Sequence, residues 1–309
     1  MARNRAREPV GSGLRGAWLA LAVAALSAAQ AESAADAAQL AAMQGRKAGT
    51  LAAVERLAAS LPVERVLAAG GSGWELTPEY AALVRFGLWD ELIALLPPDA
   101  RAPGLRAGYL YGRGVALAAR GRLAEARVSL AELERLRGTA LPAARAGTVP
   151  LDDLVSVAAP VVAARIAASE LRHAEAVASL QEAVAAEDRL PAGEGSEWFF
   201  PVRHLLGAEL LSAGRAAEAE RAYREDLKRN PGNGWSLFGL AAALRAEGRN
   251  AAAAAARRAF LAAWKDADVR LASSAFWFPG PDNSRCECER EAAEDQPAPP
   301  RLSRPAAGS

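Results

Sequence analysis

The chain has 309 residues, 51% of them hydrophobic and 24% charged, with a formal net charge of +1. That length can bury one substantial core or a long row of small ones, and the near-neutral balance argues against a nucleic-acid binder, which would carry a basic face. The only cysteines are Cys286 and Cys288; a bridge between such near neighbours would be strained, and two thiolates are too few for a zinc site.

Arg3, Arg5, Arg7 and Arg15 flank or precede the apolar run AWLALAVAAL at 17–26, and Ala29-Gln30-Ala31 follows it. Basic region, short apolar region and small-residue cleavage site stand in the order of an export signal. The run is too short for a stable anchor, which needs about 20 residues. It has no cysteine after it and no paired arginines before it, so residues 1–31 read as a signal for the general secretory route. Cleavage would take the formal charge from +1 to −2. The expectation is a periplasmic or secreted protein without a stable membrane span, the alternative being a cytoplasmic one whose first helix is rich in alanine.

Beyond the signal, alanine is abundant and no stretch alternates with a strand's period. Alanine has the best helix propensity, so the chain reads as all-α, with no strand expected between Tyr109 and Trp264. Gly45, inside AAMQGRKAGTLAAVERLAASL, looks like the turn of a first helix pair. Residues 62–76, with Gly70, Gly71 and Gly73, read as a loop. Gly87 then opens a turn before Trp89, Glu91 and Leu92, and Gly121 follows 34 residues later in YLYGRGVALAARGRLAEARVSLAELERL. After a second loop at 138–150, Val155–Asp188 forms a degenerate pair whose turn has no glycine, and 189–197 is a third loop.

The clearest units come last. FPVRHLLGAELLSAGRAAEAERAYREDLKRNP runs from Phe200 to Pro231, and GWSLFGLAAALRAEGRNAAAAAARRAFLAAW from Gly234 to Trp264; Gly214 and Gly248 stand 34 residues apart in them. The period demands an apolar start to helix A, a small residue where helix B approaches, a turn glycine, and a small then a large residue along helix B. In the first unit Leu206, Gly207, Gly214, Ala219, Tyr223, Leu227 and Pro231 hold these places, with Asp226 standing where a small residue is expected. About six helix pairs emerge, a domain over residues 32–277, and a Pro-, Glu- and Arg-rich tail at 278–309 that reads as disordered.

In LVRFGLWDELIAL, YGRGVALAARGRLAEAR, the two units above and ADVRLASSAF, the chain resembles bacterial tetratricopeptide-repeat proteins of no established activity, over roughly residues 39–276. Phe200 to Arg203 and Asn230 to Leu240 are its most specific parts. The resemblance implies a TPR-like α-α superhelix and a scaffold, and carries over no catalytic residue and no cofactor.

In such a stack helix A of each pair lines a concave groove. The repeat frame puts Tyr111, His204 and Phe238 at its fifth position, Trp235 at its second and Arg245 at its twelfth. Aromatic rings and a cation suit an extended peptide, because rings give contact area at low entropy cost and arginine pairs with a carboxylate. His173 and His204, the only histidines, have no acid or cysteine at a triad's spacing. His173 is expected to face solvent, Trp198–Phe200 to cap the preceding pair, and Arg203 to bond Glu194 or Glu197. No phosphate-loop motif and no metal-ligand set is present. The sequence therefore points to a non-catalytic scaffold for a protein or peptide partner. The alternatives are a structural subunit of a cell-envelope assembly, or a fragment of a longer repeat protein with an enzymatic module.

Overall fold

Apolar residues recurring at helical spacing, punctuated by glycine, produce a chain of short antiparallel helices. The computed structural model describes residues 34–139, 144–191 and 198–276. The export-signal reading, most of the 189–197 loop and the tail with its two cysteines lie outside the described residues. In order, the helices are α1 (34–43), α2 (Lys47–Ser60), α3 (Val63–Ala68), α4 (Pro78–Arg85), α5 (Trp89–Ala94), α6 (Pro103–Ala119), α7 (Leu123–Thr139), α8 (Leu151–Ser169), α9 (His173–Glu187), α10 (Val202–Ser212), α11 (Ala216–Arg229), α12 (Gly234–Ala246) and α13 (Asn250–Ala263). Pro78 and Pro103 open α4 and α6, where the missing N–H costs nothing.

The expected pairs form. From α6 to α13 each helix packs on the next; α6 also packs on α8, α10 on α12, α4 on α6, and α2 on α4. The turns between paired helices need one residue at positive φ, supplied by Gly45, Gly87, Gly121, Gly214 and Gly248. The pair without a turn glycine meets the same demand with Leu171, at φ 60°, a conformation that costs a side-chain-bearing residue energy.

Two of the repeat's small residues have a visible purpose. A Cβ on Gly207 would stand 2.4 Å from the Tyr223 ring, and one on Gly239 would stand 2.1 Å from it. The tyrosine of α11 is thus clasped between α10 and α12, fully buried. Asp226, one turn further on, is out of pattern because it is a hub. Its carboxylate accepts bonds from Asn230 Nδ2 at 2.9 Å, Asn233 Nδ2 at 2.7 Å and Ser236 Oγ at 2.5 Å. Asn233 in turn caps α12 by accepting from Trp235 N. The run from Asn230 to Ser236 is therefore a self-satisfied polar corner.

Two loop expectations need correction. Residues 62–76 contain α3 and a 3-10 turn at Trp74–Leu76, and the Ser72 carbonyl accepts from Gly104 N and Leu105 N at the start of α6. Residues 145–150 form a two-residue antiparallel ladder, β1 (Arg145–Ala146) with β2 (Val149–Pro150), which places Ala146 and Val149 in the core. The expectation of no strand between Tyr109 and Trp264 fails to that extent. Val149 and Ala146 are apolar residues in a short turn-forming segment, too brief to show a strand period.

The row is tied end to end. The Asp268 carboxylate accepts from Lys47 N and Ala48 N, the first amides of α2, while Asp268 N donates to Gly45 O. Trp235 Nε1 donates to Ala42 O at 3.0 Å. One apolar cluster accordingly joins Ala42 of α1, Phe86 after α4, Trp235 and Phe238 of α12, Phe260 of α13, Trp264 and Leu271.

Candidate functional site

The five residues expected to line a groove divide sharply. Tyr111 is 9% exposed, His204 1%, Trp235 0% and Phe238 1%, whereas Arg245, near the end of α12, is exposed. His204 and Trp235 meet, with ring centroids 6.5 Å apart. Phe238 turns to Phe260 at 5.3 Å and Tyr111 to Trp198 at 5.2 Å, both edge-on. His204, Trp235 and Phe238 thus share one covered neighbourhood, Tyr111 packs on Trp198 instead, and Arg245 is exposed.

The cover is the chain itself. After α13, residues 265–276 run as neither helix nor strand across the faces of α10 and α12. Leu271 is buried against Trp235, Phe238 and Trp264, and Phe276 lies 5.7 Å from Trp235, ring to ring. Ser274 Oγ donates to His204 O at 3.1 Å, which leaves the hydroxyl of Tyr223, 2.6 Å away, to donate to Ser274. From the other side α1 contributes Ala42 and Met43. Trp198, expected to cap the preceding pair, packs edge-on against Tyr111 of α6.

At the centre of this covered face stands Arg85, the last residue of α4. It is 5% exposed, and its guanidinium lies 3.7 Å from the Trp235 ring centroid and 4.6 Å from that of Phe200. Its Nη1 donates to His204 Nε2 at 2.6 Å, and Nη2 faces Met43 Sδ at 3.7 Å. Burial pulls the arginine pKa down, opposed by the charge of Asp226. Burial first, and the Arg85 charge second, hold His204 well below its ordinary pKa. The imidazole is therefore neutral and accepts at Nε2. The repeat frame missed Arg85; the available signal was a lone cation on the apolar side of α4, beside Ala81 and Ala82.

Alongside this centre opens a cleft of about 590 Å³, lined by Asp36, Gln39, Leu40 and Met43 of α1 and by Glu187, Asp188, Arg203, Asp226, Arg229 and Asn230 opposite. Its ions are largely committed. Arg203 makes a two-point bond to Asp188 at 2.7 and 2.6 Å, and Arg229 reaches Asp188 at 2.7 Å. Arg203 thus takes its acid from the end of α9; Glu194 and Glu197 lie outside the described residues. Both oxygens of Glu187 accept from Val202 N, the first amide of α10, at 3.2 and 3.1 Å. Burial raises Glu187 to a pKa of about 7, and burial likewise raises Asp226 against the pull of its three donors. His173 is not simply solvent-facing: its Nδ1 is 2.7 Å from the buried Glu209 Oε1.

No family model, curated protein or solved structure matches this chain. Among the described residues no group of three or more His, Cys, Asp and Glu side chains could hold a metal ion, and no helix is long and apolar enough to cross a membrane.

Proposed function

We propose that this chain is a non-catalytic scaffold, a tetratricopeptide-like stack of helix pairs that holds an extended protein segment against the face made by its leading helices. One observation carries the reading. Residues 265–276 lie across α10 and α12 as an irregular strip, bury Leu271 in the cluster of Trp235, pack the half-buried Phe276 edge-on against Trp235, and fasten Ser274 to His204 and Tyr223. The strip has the properties expected of a peptide ligand: apolar anchors in pockets, with hydroxyl and backbone bonds between them. A partner segment with an aliphatic residue, a small hydroxyl residue and an aromatic at the spacing of Leu271, Ser274 and Phe276 would compete for the same face. Tyr111, His204, Trp235 and Phe238 would then act as its walls, with Arg245 outside the contact.

The test is competition in trans. A labelled peptide of residues 265–276 is titrated into the full chain carrying Leu271→Asp and Phe276→Ala, with helicity checked by circular dichroism. The loosened variant should bind the peptide at least tenfold more tightly than the unaltered chain, whose face is seldom free. If that pair of changes unfolds the protein, Ser274→Glu is the milder substitute. A folded variant that binds native and scrambled peptides equally would sink the proposal.

A further inference from the structure

We infer that Arg85, held in place by His204, is a receptor for a carboxylate, entered from the α1 side of the cleft past Met43. The argument starts from hydrogen bonds that are not made. A guanidinium only donates, so Arg85 Nη1 fixes His204 Nε2 as the acceptor and puts the imidazole proton on Nδ1. Among the described residues, neither His204 Nδ1 nor Arg85 Nε has a partner. Arg85 Nη2 has only the Met43 thioether, a weak acceptor. Arg85, more than nine-tenths buried, thus holds two adjacent donor atoms on one edge with a single thioether to receive them.

The unfilled edge has a shape. Nε and Nη2 lie side by side and match the two oxygens of a carboxylate. This chain uses that same edge elsewhere: Arg120 grips Asp90 through it, Arg122 grips Glu125, and Arg215 grips Glu218. At Arg85 no carboxylate of the described residues takes the place. The acids of the adjoining cleft are engaged, Asp226 with Asn230, Asn233 and Ser236, Glu187 with Val202 N, and Asp188 with Arg203 and Arg229. Trp235 and Phe200 hold the plane of the guanidinium from its faces and leave its edge open to Met43.

Met43 is the natural gate. It lines the cleft and touches Arg85 at once, and an unbranched thioether has the freest rotation of any apolar side chain of its size. The neighbouring acids favour a singly charged carboxylate over a phosphate dianion, which Asp188 and Asp226 would repel more strongly. A buried cation without an acid is also a poor structural choice, since apolar residues of like volume fill such positions as stably or more so. The ligand is therefore either the carboxyl end of a peptide or a small free carboxylic acid. The inference does not need the strip 265–276 to move.

The experiment compares melting temperature and calorimetric binding in sodium acetate and sodium chloride at equal ionic strength, and with one peptide bearing a free or an amidated carboxyl end. Acetate should stabilise the unaltered chain where chloride does not. Met43→Ala should bind acetate several-fold more tightly. Arg85→Met should lose the response while melting no lower than the parent. If Arg85→Met does not fold, Met43→Glu serves in its place, because it supplies the carboxylate from within and should abolish the acetate response. An acetate response with no preference for the free-acid peptide assigns the site to a small acid. A response to neither acetate nor the free-acid peptide, in parent and Met43→Ala alike, overturns the inference, as does an undiminished response in Met43→Glu.

Discussion

Replacing Leu171 with glycine should make the protein more stable. Leu171 closes the turn between α8 and α9 at φ 60°, while the equivalent turns use Gly121 at 74°, Gly214 at 72° and Gly248 at 73°. A Cβ in that left-handed region costs about 1–2 kcal/mol through its contact with the backbone carbonyl. Glycine returns about 0.5–1 kcal/mol of this as extra freedom in the unfolded chain. Leu171 is 60% exposed and joins no core cluster, so little apolar burial is lost. The net gain is about 0.5–1 kcal/mol. Urea unfolding reads it as a rise in midpoint of about 0.2–0.3 M at unchanged slope, for a slope of about 3 kcal/mol per molar. The reciprocal change, Gly121→Ala, meets open space around its new Cβ, so it isolates the backbone strain and should cost about as much as the first change gains. A lower midpoint for Leu171→Gly would refute the strain argument and assign the exposed leucine a contact that outweighs it.

Gly239→Ala tests the clasp on Tyr223. The added methyl must displace a ring that is buried and tethered through Ser274, and a loss of about 1–3 kcal/mol is expected from overpacking, measured by the same unfolding experiment; an unchanged midpoint would show that α12 yields freely. Glu187 gives a pH signature. Its folded pKa, about 7, lies above the ordinary 4.5, so the native state holds its proton more tightly than the unfolded chain. The stability it contributes is complete below about pH 4.5 and is lost as pH rises through about 7. Glu187→Gln should therefore match the parent near pH 4.5 and exceed it at pH 8, by up to about 3 kcal/mol; parallel stability curves for the two proteins would contradict the assignment.

Much of the helical arrangement is readable without coordinates because it is local. Turn glycines, the small residues facing Tyr223 and the apolar stripes all act within one or two helices, and each leaves a spacing in the sequence. The pair at Val155–Asp188 was legible too, since its helix-B residues keep their spacing even though a leucine has taken the glycine's place. Three things were not legible. Residues 265–276 bury Leu271 and half-bury Phe276 without any period, so nothing in their order distinguishes a strip laid on a helical face from a loop. Arg85 and His204 lie 119 positions apart and meet only because α4 and α10 face each other. Val149 and Ala146 enter the core from a turn too brief to show alternation. The burial of Tyr111, His204, Trp235 and Phe238 was not legible for the first of these reasons.

The fastening of Asp268 to the start of α2, and of Trp235 to Ala42, changes how such a row of hairpins comes apart. A row held only by contacts between successive members loosens from whichever extremity is weaker and can lose one member at a time. Here the earliest and latest described helices brace one another, so neither can peel away without disturbing the opposite side. Melting should accordingly be a single concerted event, and damage near Gly45 should be felt as strongly around Trp264 as beside it.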